Sequence, residues 1–392
     1  MRITSVDYTI VSVPYTHREN SSQVNRDGVT DVVVKLTTDD GLVGWGESCS
    51  GANVASVHAA LQSFTPMLMG RNPWNREAIW HDAYRKGIWF YREPTFNLAW
   101  AGIDMALWDL CGKACGESIY NLLGGPRRRE LEYFCYLSYG DDLEQLRAEC
   151  RKGVDRGYNV YYRKVGVDID AECRALELIR EIVGPRGRIR IDANEAWTVA
   201  QAVRNLDLLN QWRIDFAEQP VPADPIDNMI ELKAKTHVPL ASNEGLWRID
   251  DAWRVIKQRA CDVLCFSPYW VGSIGQFHRL SHAAAIEGLS VCKHTHGELG
   301  LAAAAGQQGL ATLPRIVFGH QQTASMMMDD ILTEPLPIAT SPKWELPDGP
   351  GLGVEVDERK IDQYHEHYRQ HGQFLPYSID SMGTEDAQWD GS

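Results

Sequence analysis

Ile189-Arg190-Ile191-Asp192, Phe216-Ala217-Glu218 and Leu240-Ala241-Ser242-Asn243-Glu244 decide the fold and point to the chemistry together. Each is a short apolar run that leads into a carboxylate, and successive carboxylates stand 26 residues apart. That spacing holds one strand, one helix and two turns, which is the repeat of a βα unit. Working outward, the same rhythm predicts strands at Glu132–Leu137, Val160–Lys164, Ile189–Asp192, Phe216–Glu218, Leu240–Asn243, Val263–Ser267, Ser290–His294 and Ile316–Phe318. Eight units suggest a closed barrel. An open doubly wound sheet is the alternative, but no Gly-x-Gly-x-x-Gly follows an early strand, so its dinucleotide-binding form has little support.

Upstream the rhythm differs. Arg2–Val13, Asp31–Thr37 and Leu42–Glu47 read as antiparallel strands, and the polar stretch from Thr16 to Gly28 between the first two reads as a flap over a site. Helical patterns follow at Asn53–Met69, Asn75–Lys86 and Thr95–Cys115, the last stopped by Gly116. The expected organisation is an α+β domain over residues 1–125, a barrel over 126–345, a segment over 346–376 returning to the first domain, and a loose tail over 377–392.

Composition narrows the classes. The chain has 392 residues, 44% hydrophobic and 23% charged, enough for a large core. A net charge of -14 argues against a nucleic-acid surface and implies that an anionic substrate is held by a local cation. Nine scattered cysteines without a Cys-x-x-Cys pair read as reduced thiols. The N-terminus lacks a signal pattern, and no apolar run reaches the roughly 20 residues of a membrane span, so the expectation is a cytoplasmic protein with no membrane partner.

Barrel enzymes place their sites at the C-terminal ends of the strands. One acid there is readily explained as a solvated group or a helix cap; three at one-unit spacing crowd together and repel unless a cation sits among them. Oxygen-only ligation by Asp192, Glu218 and Glu244 suits Mg²⁺. Lys164 ends the strand before Asp192 and His294 ends the strand two units beyond Glu244, so barrel order sets them on opposite sides of the metal as candidate acid and base. His296 competes for the histidine's role, lying on the same face two residues later.

With these residues in place the sequence resembles the mandelate racemase / muconate lactonizing enzyme branch of the enolase superfamily. The likeness runs from Val43-Gly44-Trp45-Gly46-Glu47 through Ile103-Asp104-Met105-Ala106-Leu107-Trp108-Asp109-Leu110 and Leu122-Leu123-Gly124-Gly125, and on through Ile191-Asp192-Ala193-Asn194, Ala217-Glu218-Gln219-Pro220 and Ala241-Ser242-Asn243-Glu244-Gly245 to Gly349-Pro350-Gly351-Leu352-Gly353. The resemblance implies an α/β fold, a modified TIM barrel (β/α)₇β with an N-terminal α+β capping domain that supplies specificity. It also implies Mg²⁺ on Asp192, Glu218 and Glu244, a small-molecule carboxylate substrate, and a homo-oligomer. The reaction expected of such a site is removal of an α-proton to give an enediolate.

Three departures from the family pattern bear on the outcome. Tyr162 stands where many relatives have a second lysine, Ser267 where an aspartate often backs the histidine, and the last-strand glutamate is replaced around Gly319 and His320. A racemase needs comparable bases on both faces; a dehydratase needs one base and one acid. The expected reaction is therefore β-elimination of water from an acid sugar, another hydroxy-carboxylate or a cyclic hydroxy-amino acid such as 3-hydroxyproline, with Lys164 as base and His294 as acid, or the reverse for the opposite substrate configuration. A racemase, epimerase or cycloisomerase, and a non-catalytic metal-dependent binding protein, are the alternatives. Substrate-contacting candidates are Tyr162, Asn194, Ser267 and His296, an aromatic wall of Trp89, Phe90, Tyr91, Tyr269 and Trp270, and the flap residues His17, Arg18, Glu19 and Asn20.

Overall fold

The computed structural model describes residues 1–375 apart from 23, 24, 50, 52, 88, 90 and 141. Phe90 and the tail at 377–392 thus lie outside the described residues. The chain opens with a three-stranded antiparallel sheet of β1 (Ile3–Asn20), β2 (Asn25–Thr38) and β3 (Val43–Cys49) in that order. The stretch expected to be a flap is instead mostly strand. After a register shift between Pro14 and Glu19, pairing resumes at Glu19↔Arg26 and Asn20↔Asn25. A buried ion pair between Glu19 and Arg26, at 2.6 Å, supports this pairing, because the two charges satisfy each other across the strands.

Helices α1 (Val54–Leu68), α2 (Arg76–Gly87) and α3 (Thr95–Cys115) complete the cap. Every residue of α3 from Phe96 to Gly112 is buried, and Gly116 closes the helix in the left-handed conformation at φ 72°. The glycines of β3 explain how a strand can lie so close to α3. A Cβ on Gly46 would fall 1.9 Å from the Gly102 carbonyl oxygen, so this contact is made backbone to backbone.

A short α4 (Ile119–Leu122) leads to the barrel. The first expected barrel strand is divided: β4 (Glu130–Glu132) pairs antiparallel with β12 (Lys343–Glu345), and only β5 (Cys135–Leu137) joins the barrel sheet. Then come α5 (Leu143–Asp155), β6 (Val160–Lys164), α6 (Ile169–Val183), β7 (Arg188–Asp192), α7 (Val199–Leu209), β8 (Ile214–Glu218) and α8 (Asp227–Lys235). They are followed by β9 (Leu240–Ser242), α9 (Ile249–Gln258), β10 (Val263–Phe266), α10 (Ile274–Ile286), β11 (Ser290–Lys293) and α11 (Gly300–Thr312). Strands β5 to β11 form one parallel sheet in sequence order.

The expected eighth strand, Ile316–Phe318, is reduced to bridges at Val291↔Ile316 and Tyr133↔His320, which join the sheet's two edges. Arg190 compensates from inside the barrel. Fully buried, it donates to the carbonyls of Phe318 and Gly319 and to Asp215 Oδ2 at 2.9 Å. Side-chain hydrogen bonds thus replace part of the missing ladder.

Past the barrel the chain returns to the cap, where Leu352 N–H donates to Asp109 Oδ1 at 2.9 Å and α12 (Glu358–His371) lies along β1. No helix among the described residues is long and apolar enough to cross a membrane. All nine cysteines are free.

Candidate active site

Strand register puts the charged residues side by side. Lys164 pairs with Asp192 across β6 and β7, and Asp192 with Glu218 across β7 and β8, so the three form one row at the strand ends. Glu244 opens the short turn after β9. Just past the first two carboxylates the backbone turns through left-handed conformations, with φ of 45° at Asn194 and 33° at Gln219. Such sparsely populated geometry persists only where the surroundings impose it.

The carboxylates are wired in. Asp192 Oδ2 accepts from Tyr162 Oη–H at 2.5 Å and Lys164 Nζ at 2.6 Å, and Asp192 Oδ1 accepts from the Asn194 N–H at 2.9 Å. Asn194 also accepts from Lys164 Nζ at 2.8 Å and donates to Glu244 Oε1 at 3.1 Å. Glu218 Oε2 accepts from Gln321 Nε2 at 2.6 Å. Two buried oxygens, Glu218 Oε1 and Glu244 Oε2, have no hydrogen-bond partner.

Burial, then the charge of Asp192, pushes Glu218 well above the ordinary carboxylate range and Glu244 up to about 8. Three carboxylates, of which Asp192 raises the pKa of the other two, with two unanswered oxygens, form an all-oxygen donor set of the kind a hard divalent cation takes. The residues present therefore fit Mg²⁺. At Lys164 burial opposes the charge, but Asp192, Glu19 and Glu218 outweigh it and raise the pKa.

Across the opening, His294 is held differently. Its carbonyl accepts from Ser267 Oγ–H at 2.6 Å and Tyr269 Oη–H at 3.2 Å, while its ring packs edge-on against Trp270 at 4.4 Å between centroids. Its Nδ1 is buried without a partner. Burial, followed by His296, Lys164, Lys293 and Arg26, takes the imidazole well below its ordinary pKa. His296 is driven down to about 3 by burial, Arg26 and Lys293.

Lys164 and His294 both line a cavity of about 430 Å³, with Asn194, Glu244, Glu19, His296 and Trp270 also in its wall. Other expected contacts lie elsewhere. Tyr162 is buried beneath Asp192 and stacked on Phe134, and Ser267 and Tyr269 are spent on the His294 backbone. Trp89 is 85% exposed and Tyr91 shares a hydrogen bond with Ser63; neither lines the cavity. Along β1 the pleat turns residues alternately, which separates Glu19 from its neighbour. Arg18 pairs with Asp27 at 3.3 Å in solvent, and His17 borders a different cavity beside Tyr136.

Several functional positions escaped the sequence reading. Trp247 stacks on Trp270 at 3.5 Å and supplies most of the aromatic wall with it. Arg26 and Asn243 also line the cavity, and Gln321 holds Glu218. Gln321 follows the last expected strand, so a polar residue at a strand end was its signal. Trp247 lies on a βα loop, where periodicity carries no information.

Comparison with known proteins accords with this geometry. Residues 145–360 match the family described as enolase C-terminal domain-like, and residues 6–124 the mandelate racemase / muconate lactonizing enzyme N-terminal domain. The chain is 30% identical over 374 residues to the N-succinyl-L-Arg/Lys racemase of Bacillus cereus, covering 93% of this chain and 98% of that one. It is 28% identical over 343 residues to the arabinonate dehydratase of Saccharolobus solfataricus, covering 85% and 90%. The muconate lactonizing enzyme of Pseudomonas fluorescens, solved with muconolactone, superposes with a TM-score of 0.85 at 25% identity, over 93% of this chain and 99% of that one.

Proposed function

The chain belongs to the mandelate racemase / muconate lactonizing enzyme family of the enolase superfamily, and from that premise we propose that it is a Mg²⁺-dependent dehydratase of a small hydroxy-carboxylate. Asp192, Glu218 and Glu244 would hold the metal. When bound, it would supply positive field to the carboxylate oxygens on which negative charge develops.

The observation that carries dehydration is the unequal setting of the two candidate proton-transfer groups. Lys164 is hydrogen-bonded to Asp192 and Asn194, whereas His294 has an unpartnered Nδ1 and an aromatic neighbour. Unequal groups suit elimination, in which one takes a proton and the other gives one, better than racemisation, which asks the same of both. Of the two directions left open by the sequence, a neutral imidazole favours His294 as the base that takes the α-proton. Lys164, opposite, then protonates the departing β-hydroxyl.

The cavity supports a compact ring over an extended polyol. Trp247, Trp270, Leu98, Val57 and Pro94 give it apolar walls, and its one described arginine, Arg26, is already paired with Glu19. A polyol would leave hydroxyls unanswered along those walls. A cyclic hydroxy-amino acid such as 3-hydroxyproline fits this lining, with acid sugars next.

Racemisation is the second reading, favoured by the racemase among the relatives. Incubation of candidate substrates in D₂O with Mg²⁺ separates the two. Loss of water to a keto or imino acid supports dehydration; α-deuterium incorporation with an inverted centre and no water loss refutes it.

A further inference from the structure

We propose that Asn97 of the cap is a positioning residue that holds together the loops carrying Trp247 and Trp270, and that the stacked Trp270 indole orients the His294 imidazole; the inference rests on His294 being a proton-transfer group. A histidine that moves protons is usually set in place by a hydrogen bond at its second ring nitrogen, which also fixes the tautomer. His294 Nδ1 makes none, and the carbonyl contacts from Ser267 and Tyr269 hold only its backbone. The closest aromatic neighbour of the imidazole is Trp270, with the ring planes 63° apart.

Trp270 is itself fixed at three points. Its Nε1–H donates to the Asn243 carbonyl at 3.1 Å, its ring stacks on Trp247, and its carbonyl accepts from Asn97 Nδ2 at 3.0 Å. The same Asn97 nitrogen donates to the Trp247 carbonyl at 2.5 Å. One side-chain amide from the first turn of α3 thus ties together the loops after β9 and β10, whose indoles stack. Asn97 is 5% exposed and does not line the cavity. Gly272 makes room for it: at φ +77°, a Cβ there would come within 3.0 Å of the Asn97 Cα. Asn97 therefore reaches the histidine through the two tryptophans.

The test reads the histidine directly. Ring resonances of the full chain are recorded with Mg²⁺ as the only addition, and the His294 signal is assigned by its disappearance in His294→Gln. The wild type should give an upfield-shifted signal, from the ring current of Trp270, and a single tautomer. Trp270→Phe should keep both, whereas Trp270→Leu and Asn97→Ala should lose the shift and mix the tautomers, read at a temperature where each variant is still folded.

Folded Trp270→Leu and Asn97→Ala with His294 resonances at the wild-type position would overturn the proposal. Should either fail to fold, Asn97→Asp, equal in size but without the amide hydrogens, decides: a moved signal supports the proposal and an unmoved one overturns it. The functional reading fails separately, if His294→Gln turns over 3-hydroxyproline or an acid sugar at the wild-type rate. In that case the orientation result would still stand.

Discussion

The start of α7 on the carboxylate side and the start of α11 on the histidine side are satisfied in different ways, one by its own side chains and the other by the docked cap. On the carboxylate side Asp168 accepts from the N–H groups of Asp170 and Ala171 at the start of α6, and Thr198 and Gln201 form a capping box on α7, whereas the N-cap residues of α8 and α9 make no side-chain cap. On the histidine side Ser273 caps α10 from within the barrel by accepting from the N–H groups of Gly275 and Gln276, and the cap domain adds further bonds. Asp104 of α3 accepts from Ile274 N–H at 2.8 Å at the start of α10, and Glu47 of β3 accepts from Leu299 N–H at 2.7 Å and Ala302 N–H at 3.0 Å at the start of α11. Asn97 adds its two bonds to the loops after β9 and β10. The cap thus answers helix-start N–H groups on the histidine side, while on the carboxylate side it contributes at the rim, through Glu19 in the cavity wall and Ser22 Oγ–H donating to the Ala193 carbonyl at 3.0 Å.

The largest effects test the chemistry assigned to the two halves. Glu218→Gln removes one of the three carboxylates, and turnover should fall on the order of ten-thousandfold, given the several kcal/mol a catalytic metal supplies. Mn²⁺ titration followed by electron paramagnetic resonance should show the weakened site directly. His294→Ala should lower both α-proton exchange and water loss by about a thousandfold, within the range for a positioned acid or base. Lys164→Ala should suppress water loss while exchange of the α-proton with D₂O continues. Exchange lost only in the lysine variant would reverse the two roles.

Stability sharpens the same contrast at a smaller scale. Glu47→Ala leaves two buried N–H groups at the start of α11 unanswered and should cost about 3 kcal/mol in urea unfolding. Thr198→Ala on the self-capped α7 should cost about 1 kcal/mol. Equal losses would mean that the cap does not buttress the histidine side.

The same division governs what could be read in the sequence. The row of Lys164, Asp192 and Glu218 was legible because strand ends recur at a fixed interval and their side chains meet in the register the interval implies. Boundaries failed where long-range pairing decides them: the barrel strand expected at Glu132–Leu137 loses Glu132 to the pairing with β12, and the strand pairing at Glu19↔Arg26 is held by an ion pair. Trp247 and Asn97 were invisible for a related reason. Each acts through a contact between segments far apart in the chain, which local pattern does not encode.

A pH-dependent effect concerns Asp104, at the same junction. Burial raises its carboxyl to about 7 from an ordinary 3.8, against the hydrogen bond from Ile274 and the charge of Arg76. Between those two values the folded chain retains a proton that the unfolded chain has released. The associated stability is therefore complete below about pH 4 and declines as pH rises through about 7. Asp104→Asn, neutral throughout and still able to accept from Ile274 N–H, should lack that decline. Urea unfolding of both proteins at about pH 5 and about pH 8 isolates it, because the difference between them cancels the other titrating groups. A difference that stays constant with pH would mean that Asp104 is ionised throughout, capping α10 as an anion at a helix N-terminus. The cap would then hold the histidine side by charge, and its grip would weaken only in acid.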